Sequence, residues 1–175
     1  MTVRVSVYIA TSLDGFIART NGEIDWLTGG QSGEDYGYAT FIATVDRIVM
    51  GRNSYEKVLT FGSWPYEKPV TVLTSRDLSI PPALADKVET QNLSPEELIR
   101  ELERRDVRHV YLDGGVTIQG FLRARLVDEM TITTIPILIG EGLSLFGALD
   151  GDVKLTLLES KAFDNGFVQN KYRVL

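Results

Sequence analysis

Three short segments carry residue types and spacings suited to holding a phosphate. Val110–Leu122 reads V-Y-L-D-G-G-V-T-I-Q-G-F-L: an apolar run ends in Asp113 and two adjacent glycines, and an amphipathic segment follows at once. That pattern predicts a buried strand, then a tight turn where only glycine lets another surface come close. A helix then begins with its first N–H groups unpaired and the positive end of its dipole exposed, which suits an anion. A strand–Gly-Gly–helix turn also serves simple close packing, so one such turn does not decide the matter. Met50-Gly51-Arg52-Asn53-Ser54-Tyr55-Glu56 repeats the arrangement, now with a cation, an amide and a hydroxyl at the helix start. Val72-Leu73-Thr74-Ser75-Arg76-Asp77 ends a third strand in two hydroxyls and an arginine able to grip a ribose phosphate with two parallel hydrogen bonds. The alternatives are a capped helix with a solvent-facing Arg52 and a surface ion pair between Arg76 and Asp77. Neither glycine turn has the G-x-G-x-x-G or P-loop spacing.

The rest of the composition narrows the chemistry. No cysteine is present, which removes disulfides, thiolate metal sites and cysteine nucleophiles, and the single histidine, His109, removes histidine metal clusters. A formal charge of −6 argues against a nucleic-acid partner. No apolar run reaches membrane-span length, and the N-terminus reads as a strand rather than a signal peptide. At 175 residues the expectation is a single domain over residues 1–175, cytoplasmic, acting on a small molecule.

The elements that must position these turns alternate. Val3–Ala10 predicts a strand. A helix is expected from about Ser32, with Ser32 as cap, Glu34 and Asp35 in its first turn, and Tyr38, Phe41, Ile42 and Val45 on one face. Strand Arg47–Met50 leads into helix Arg52–Leu59, and Val70–Thr74 is the next strand. Ser94-Pro95-Glu96-Glu97 is a helix start with cap, N1 proline and capping-box glutamate in place, the helix running to about Arg105. His109–Leu112 is a strand and Val116–Ala124 a helix. Val127–Ile139 predicts a strand bent near Pro136, and Val153–Lys161 with Phe167–Val174 a terminal hairpin. The fold class is therefore α/β: a mostly parallel central sheet with flanking helices, closed by a C-terminal antiparallel hairpin. Ligands of such sheets bind beyond the carboxyl ends of the strands.

Five segments in one order resemble the dihydrofolate reductase-like superfamily: I-A-T-S-L-D-G-F-I-A, V-M-G-R-N-S-Y-E, V-L-T-S-R, Y-L-D-G-G-V-T-I-Q-G-F-L and V-D-E-M-T-I-T-T-I-P-I-L-I-G-E-G. The branch most similar is the reductase domain of the bacterial riboflavin-biosynthesis deaminase-reductase, and the resemblance covers nearly the whole chain. It implies an NADPH site. Gly51, Arg52, Asn53 and Ser54 would hold cofactor phosphate, and Thr74, Ser75 and Arg76 would face the adenosine ribose. Gly114, Gly115, Val116, Thr117 and Ile118 would hold the pyrophosphate, while Ala10 and Ile17 would flank the nicotinamide. An arginine placed for a 2′-phosphate favours NADPH over NADH.

On the substrate side the resemblance places a pterin-binding carboxylate at Asp35, expected to have a raised pKa in an apolar cleft and to relay a proton. The competing reading is a residue favoured by the helix dipole. Asp113 stands where riboflavin-type reductases have a glutamate, one methylene longer, and Tyr38, with Tyr36 and Phe41, would line a flat-ring pocket or pack in the core. Trp26 matches the tryptophan that follows the mobile loop in dihydrofolate reductases and reads equally as a core anchor; Asp14 and His109 read as structural. Asp25–Gly37 lacks the basic segment of the riboflavin enzymes, and no deaminase residues are present. The expectation is an NADPH-dependent reductase of a pterin- or pyrimidine-like heterocycle. The narrower alternative is the ribosylaminopyrimidine reductase of riboflavin synthesis, and the third a non-catalytic NADP-binding protein. The apolar C-terminal strands further predict a homodimer.

Overall fold

The structure, a computed structural model, describes residues 2–29 and 33–175. Its elements are β1 (Arg4–Ser12), β2 (Phe16–Ala18), α1 (Tyr38–Ala43), β3 (Arg47–Gly51), α2 (Arg52–Leu59), β4 (Val70–Leu73) and β5 (Val88–Gln91). Then come α3 (Pro95–Arg104), β6 (His109–Asp113), α4 (Gly115–Arg123), β7 (Glu129–Ile135), β8 (Leu143–Ser144), β9 (Leu155–Ala162) and β10 (Val168–Val174). Eight strands form one sheet in the order β5-β4-β3-β6-β1-β7-β10-β9. From β5 to β7 every neighbouring pair is parallel, and β10 and β9 close one side antiparallel.

Because successive side chains on a strand point to opposite faces, each strand feeds two cores. Val5, Val7, Val49, Val110 and Leu112 pack under α3 and α4 through Leu98, Leu102, Ile118 and Phe121. On the other face Ile48, Met50, Val70, Val72 and Tyr111 pack with Tyr55 of α2, and Tyr38, Phe41 and Ile42 of α1 lean on that cluster. The helix after β3 thus lies on one face and the helix after the adjacent β6 on the other. Neighbouring strands whose helices part in this way open a crevice at their carboxyl ends.

The strand–helix alternation, the hairpin and α2 agree with the expected pattern. α3 has the full capping box: Glu97 N–H donates to Ser94 Oγ (3.3 Å) and Ser94 N–H to Glu97 Oε2 (2.9 Å). Three expectations need correction. α1 begins at Tyr38, and the proposed cap Ser32 lies outside the described residues. Glu34 and Asp35 are therefore ahead of the helix rather than in its first turn. β7 ends at Ile135, since Pro136 has no N–H to continue a ladder; the irregularity sits on the hairpin, between Lys171 and Tyr172. The short pair β2–β8 and strand β5 are additions the pattern did not suggest. Among the described residues no helix is long and apolar enough to cross a membrane.

Candidate functional site

The two glycine turns face each other. A side chain at Gly51 would put its Cβ 2.7 Å from Thr117 Oγ1 of α4, and one at Gly114 would collide with Ser54 Oγ of α2. Gly114 also holds φ +91°, a conformation glycine adopts without a Cβ clash. Each turn is thus small because the first turn of the other helix occupies its space, and the N-termini of α2 and α4 converge. Neither helix has a side-chain cap, in contrast to α3. Two uncapped N-termini side by side present N–H donors and partial positive charge to one place, which fits a pyrophosphate. Arg52 joins the third turn to this pair: its Nε donates to Glu56 Oε1 (2.8 Å) and an Nη to the Asp77 carbonyl (3.0 Å). Thr74 Oγ1 bonds the backbone of Arg76, while the side chains of Ser75 and Arg76 are exposed, and among the described residues Arg76 forms no ion pair.

Ile17 packs against the same centre, its Cδ1 2.9 Å from where a Gly115 Cβ would be. Val116 and Asn53 are open to solvent at the helix starts. Ile118 is fully buried under the sheet and its N–H is satisfied by the Gly114 carbonyl (2.9 Å), so it builds the core beneath the turn. Asp14 is structural. It accepts from Ser12 Oγ (2.6 Å) and from the N–H groups of Ile139 (3.3 Å) and Gly140 (2.8 Å), fixing the β1–β2 turn to the loop after β7. His109 is structural too, bridging the Thr44 carbonyl and Ser6 Oγ.

The two candidate carboxylates are pushed in opposite directions by their surroundings. Asp35 is exposed and lines a hollow of about 190 Å³ together with Ala10, Leu27, Tyr36 and Thr133. Its oxygens accept from the N–H groups of Gly37 (2.9 Å) and Ala39 (3.0 Å), ahead of α1. Those bonds favour the charged form and hold its pKa below the usual carboxylate value, opposite to the expectation for a proton relay. Asp113 is the carboxylate raised by its surroundings. It ends β6 beside Met50, and burial lifts its pKa to about 6 although Gly114 N–H donates to Oδ1 (2.8 Å). Its charge in turn helps burial raise Tyr38 to about 12, and Tyr66 and Tyr111 are raised by burial first, then by Asp113 and by neighbouring tyrosines. Tyr111 shares Asp113's face at a spacing of two on β6, a relation readable from sequence; Tyr66 arrives from the loop after α2 and is not. Trp26 packs in the core with Phe167 and Ile135, and its buried indole N–H has no partner among the described residues.

A mostly parallel sheet of this order, closed by an antiparallel hairpin, defines a dihydrofolate reductase-like fold. The chain superposes on the dihydrofolate reductase of Enterococcus faecalis complexed with NADP(H) with a TM-score of 0.68 at 19% identity, covering 99% of each chain. Within that fold, the chain belongs to the RibD C-terminal domain family, which matches residues 3–169. It is 35% identical over 168 residues to the uncharacterized protein YwjB of Bacillus subtilis (strain 168), covering 93% of this chain and 94% of that one. It is also similar to a Shewanella sp. PV-4 protein named for riboflavin biosynthesis, with a TM-score of 0.93 and 39% identity over 100% of this chain and 99% of the other. The family and its relatives support a reductase-like role.

Proposed function

We propose that this chain is an NADPH-dependent reductase of a small heterocyclic, pterin- or pyrimidine-like substrate. The observation that carries this reading is the meeting of two uncapped helix N-termini, through Gly51 and Thr117 and through Gly114 and Ser54, at the crevice of a parallel sheet. In this reading their first turns, with Arg52, Asn53, Gly115, Val116 and Thr117, hold the phosphates. Thr74, Ser75 and Arg76 hold the adenosine end, Arg76 meeting the 2′-phosphate, and Ala10 and Ile17 flank the nicotinamide. Bound NADPH supplies the hydride. The chain's own part is proton handling and orientation. Asp113 keeps its proton up to about pH 6 and donates it to a ring nitrogen or carbonyl oxygen. Asp35, held ionised, accepts N–H bonds from the heterocycle, and Tyr38 provides a ring wall. Titration with NADPH should change cofactor fluorescence with saturation below the millimolar range; no response at millimolar NADPH overturns the reading. Saturable binding without NADPH oxidation over a panel of pterins, pyrimidines and quinones would assign a binding protein instead.

The chain is further proposed to form a homodimer. All eight residues of the edge strand β9 are exposed, with Leu155, Leu157 and Leu158 at 41%, 56% and 39%. Such an edge invites pairing. Light scattering should give twice the monomer mass, and Leu157→Lys should return it to the monomer value. A monomer mass for the unmodified chain at high concentration rejects the dimer.

A further inference from the structure

We propose a second ligand site, apart from the reductase crevice, in the groove between α1 and the polar face of β1, β7, β10 and β9, for a small planar aromatic acid with one negative charge. The groove has a volume of about 460 Å³, in the range of small-molecule sites. Its floor follows from strand register. Thr131 pairs with Lys171, Lys171 with Glu159, and Gln169 with Lys161, so these side chains share one face. A solvent-facing sheet surface is ordinarily polar. This one differs in having aromatic walls: Phe41 of α1, stacked on Tyr8 at 4.6 Å, and Phe163 at the far end.

The charges select the ligand. Glu129, only 16% exposed in its side chain, is shared by Arg4 (2.5 Å) and Lys171 (3.2 Å), which leaves that trio one positive charge. Lys161 Nζ lies 4.6 Å over the Phe163 ring and Glu159 opposes it, and among the described residues neither forms an ion pair. His109, bonded through both ring nitrogens and lowered chiefly by burial, adds no charge near neutral pH. Three cations against two carboxylates leave a net charge of +1. Thr131, whose hydroxyl has no partner among the described residues, offers a hydrogen bond to the acid group. An aromatic ring between Phe41 and Phe163 with its anionic group toward Lys161 and Lys171 meets each of these features.

The wall between this groove and the hollow at Asp35 consists of Tyr8 and Tyr36, which line both. The Tyr8 hydroxyl donates to the Tyr36 carbonyl, and Gln169 Nε2 reaches that carbonyl (3.0 Å) and Thr133 Oγ1 (2.9 Å). The two sites therefore stand back to back, separated by this hydrogen-bonded wall.

The probe is 1-anilinonaphthalene-8-sulfonate, an aromatic monoanion with a flat naphthalene ring, titrated at low protein concentration with and without saturating NADPH. Expected is one site per chain, retained with NADPH present. Lys161→Glu should weaken it about tenfold or more by reversing the charge beside the acid. Thr40→Trp should abolish it by filling the groove from the exposed face of α1, with the far-UV circular dichroism of both variants unchanged. Displacement by NADPH, or binding that survives both substitutions, places the probe in the crevice or on the β9 leucines and overturns the proposal. Loss of probe binding as the unmodified chain self-associates gives the groove to a second copy and overturns it equally.

Discussion

Asp113→Asn will make the folded chain more stable near neutral pH and at the same time slow substrate reduction. The folded-state pKa of Asp113 is raised, from 3.8 to about 6, mainly because its site excludes water from the charged form. Below about pH 4 the carboxyl is protonated folded or unfolded, and the group is at its most favourable. As pH climbs through about 6, the folded chain must accept a charge that the unfolded chain carries at no cost, so this contribution to stability is lost with rising pH. A shift of this size corresponds to up to about 3 kcal/mol. Asparagine cannot ionise, yet its Oδ1 can still accept the Gly114 N–H. Urea unfolding should therefore show the variant gaining stability over the parent from pH 4.5 to pH 7.5. A gain that shrinks over that interval contradicts the assignment. In catalysis the parent's kcat should fall above an apparent pKa near 6, as the proton donor empties. The variant should turn over far more slowly, and that limb should vanish. Asp35→Asn separates the two carboxylates: Asp35 is already ionised, so the limb persists while α1 loses a charged acceptor ahead of its first turn.

The contrast between Asp35 and Asp113 shows where local sequence stops being informative. Both are carboxylates near a turn, and what separates their pKa values is which N–H groups and which buried rings come near them. Asp35 meets two backbone donors only because α1 starts late, at Tyr38, a boundary that the Ser-x-Glu-Asp signal obscured. Asp113 acquires Tyr66 from a loop about fifty residues away. In contrast, α2 and α3 were legible to the residue or nearly so, because Gly51 and the Ser94–Pro95–Glu97 cap act locally. The strands were legible because both faces of a parallel sheet are buried and each reads as a β-branched run. β2 and β8 were not, since pairs of two or three residues carry no periodicity, and neither was β5, an edge strand of four residues with only Val88 buried. Ile118 was readable as core: with Phe121 and Leu122 it forms a buried stripe at helical spacing.

The glycine turns allow one more separation, between lack of space and lack of conformational freedom. Gly51→Ala leaves φ at −82°, a value alanine adopts freely, so its cost lies in a Cβ 2.7 Å from Thr117 Oγ1. Overpacking of this kind costs about 1–3 kcal/mol. Gly114→Ala meets Ser54 and must also place an L side chain at φ +91°, strain of a further ~1–3 kcal/mol. Removing the opposing group should therefore have different results. Thr117→Ala restores most of the stability lost in Gly51→Ala, a coupling of about 1 kcal/mol or more in a double-mutant cycle. Ser54→Ala restores only part of the loss in Gly114→Ala, because the strained backbone remains. Equal recovery in both pairs would show that contact alone dictates the two glycines. NADPH titration of the same variants then tests what the contacts are for. Each single glycine substitution pushes the two N-termini apart and should raise the cofactor's dissociation constant. The Gly51→Ala/Thr117→Ala double variant should recover stability without recovering NADPH affinity, since the hydroxyl that faces the phosphate in the proposed site is gone. Affinity that returns together with stability would mean that Thr117 fills space and holds nothing.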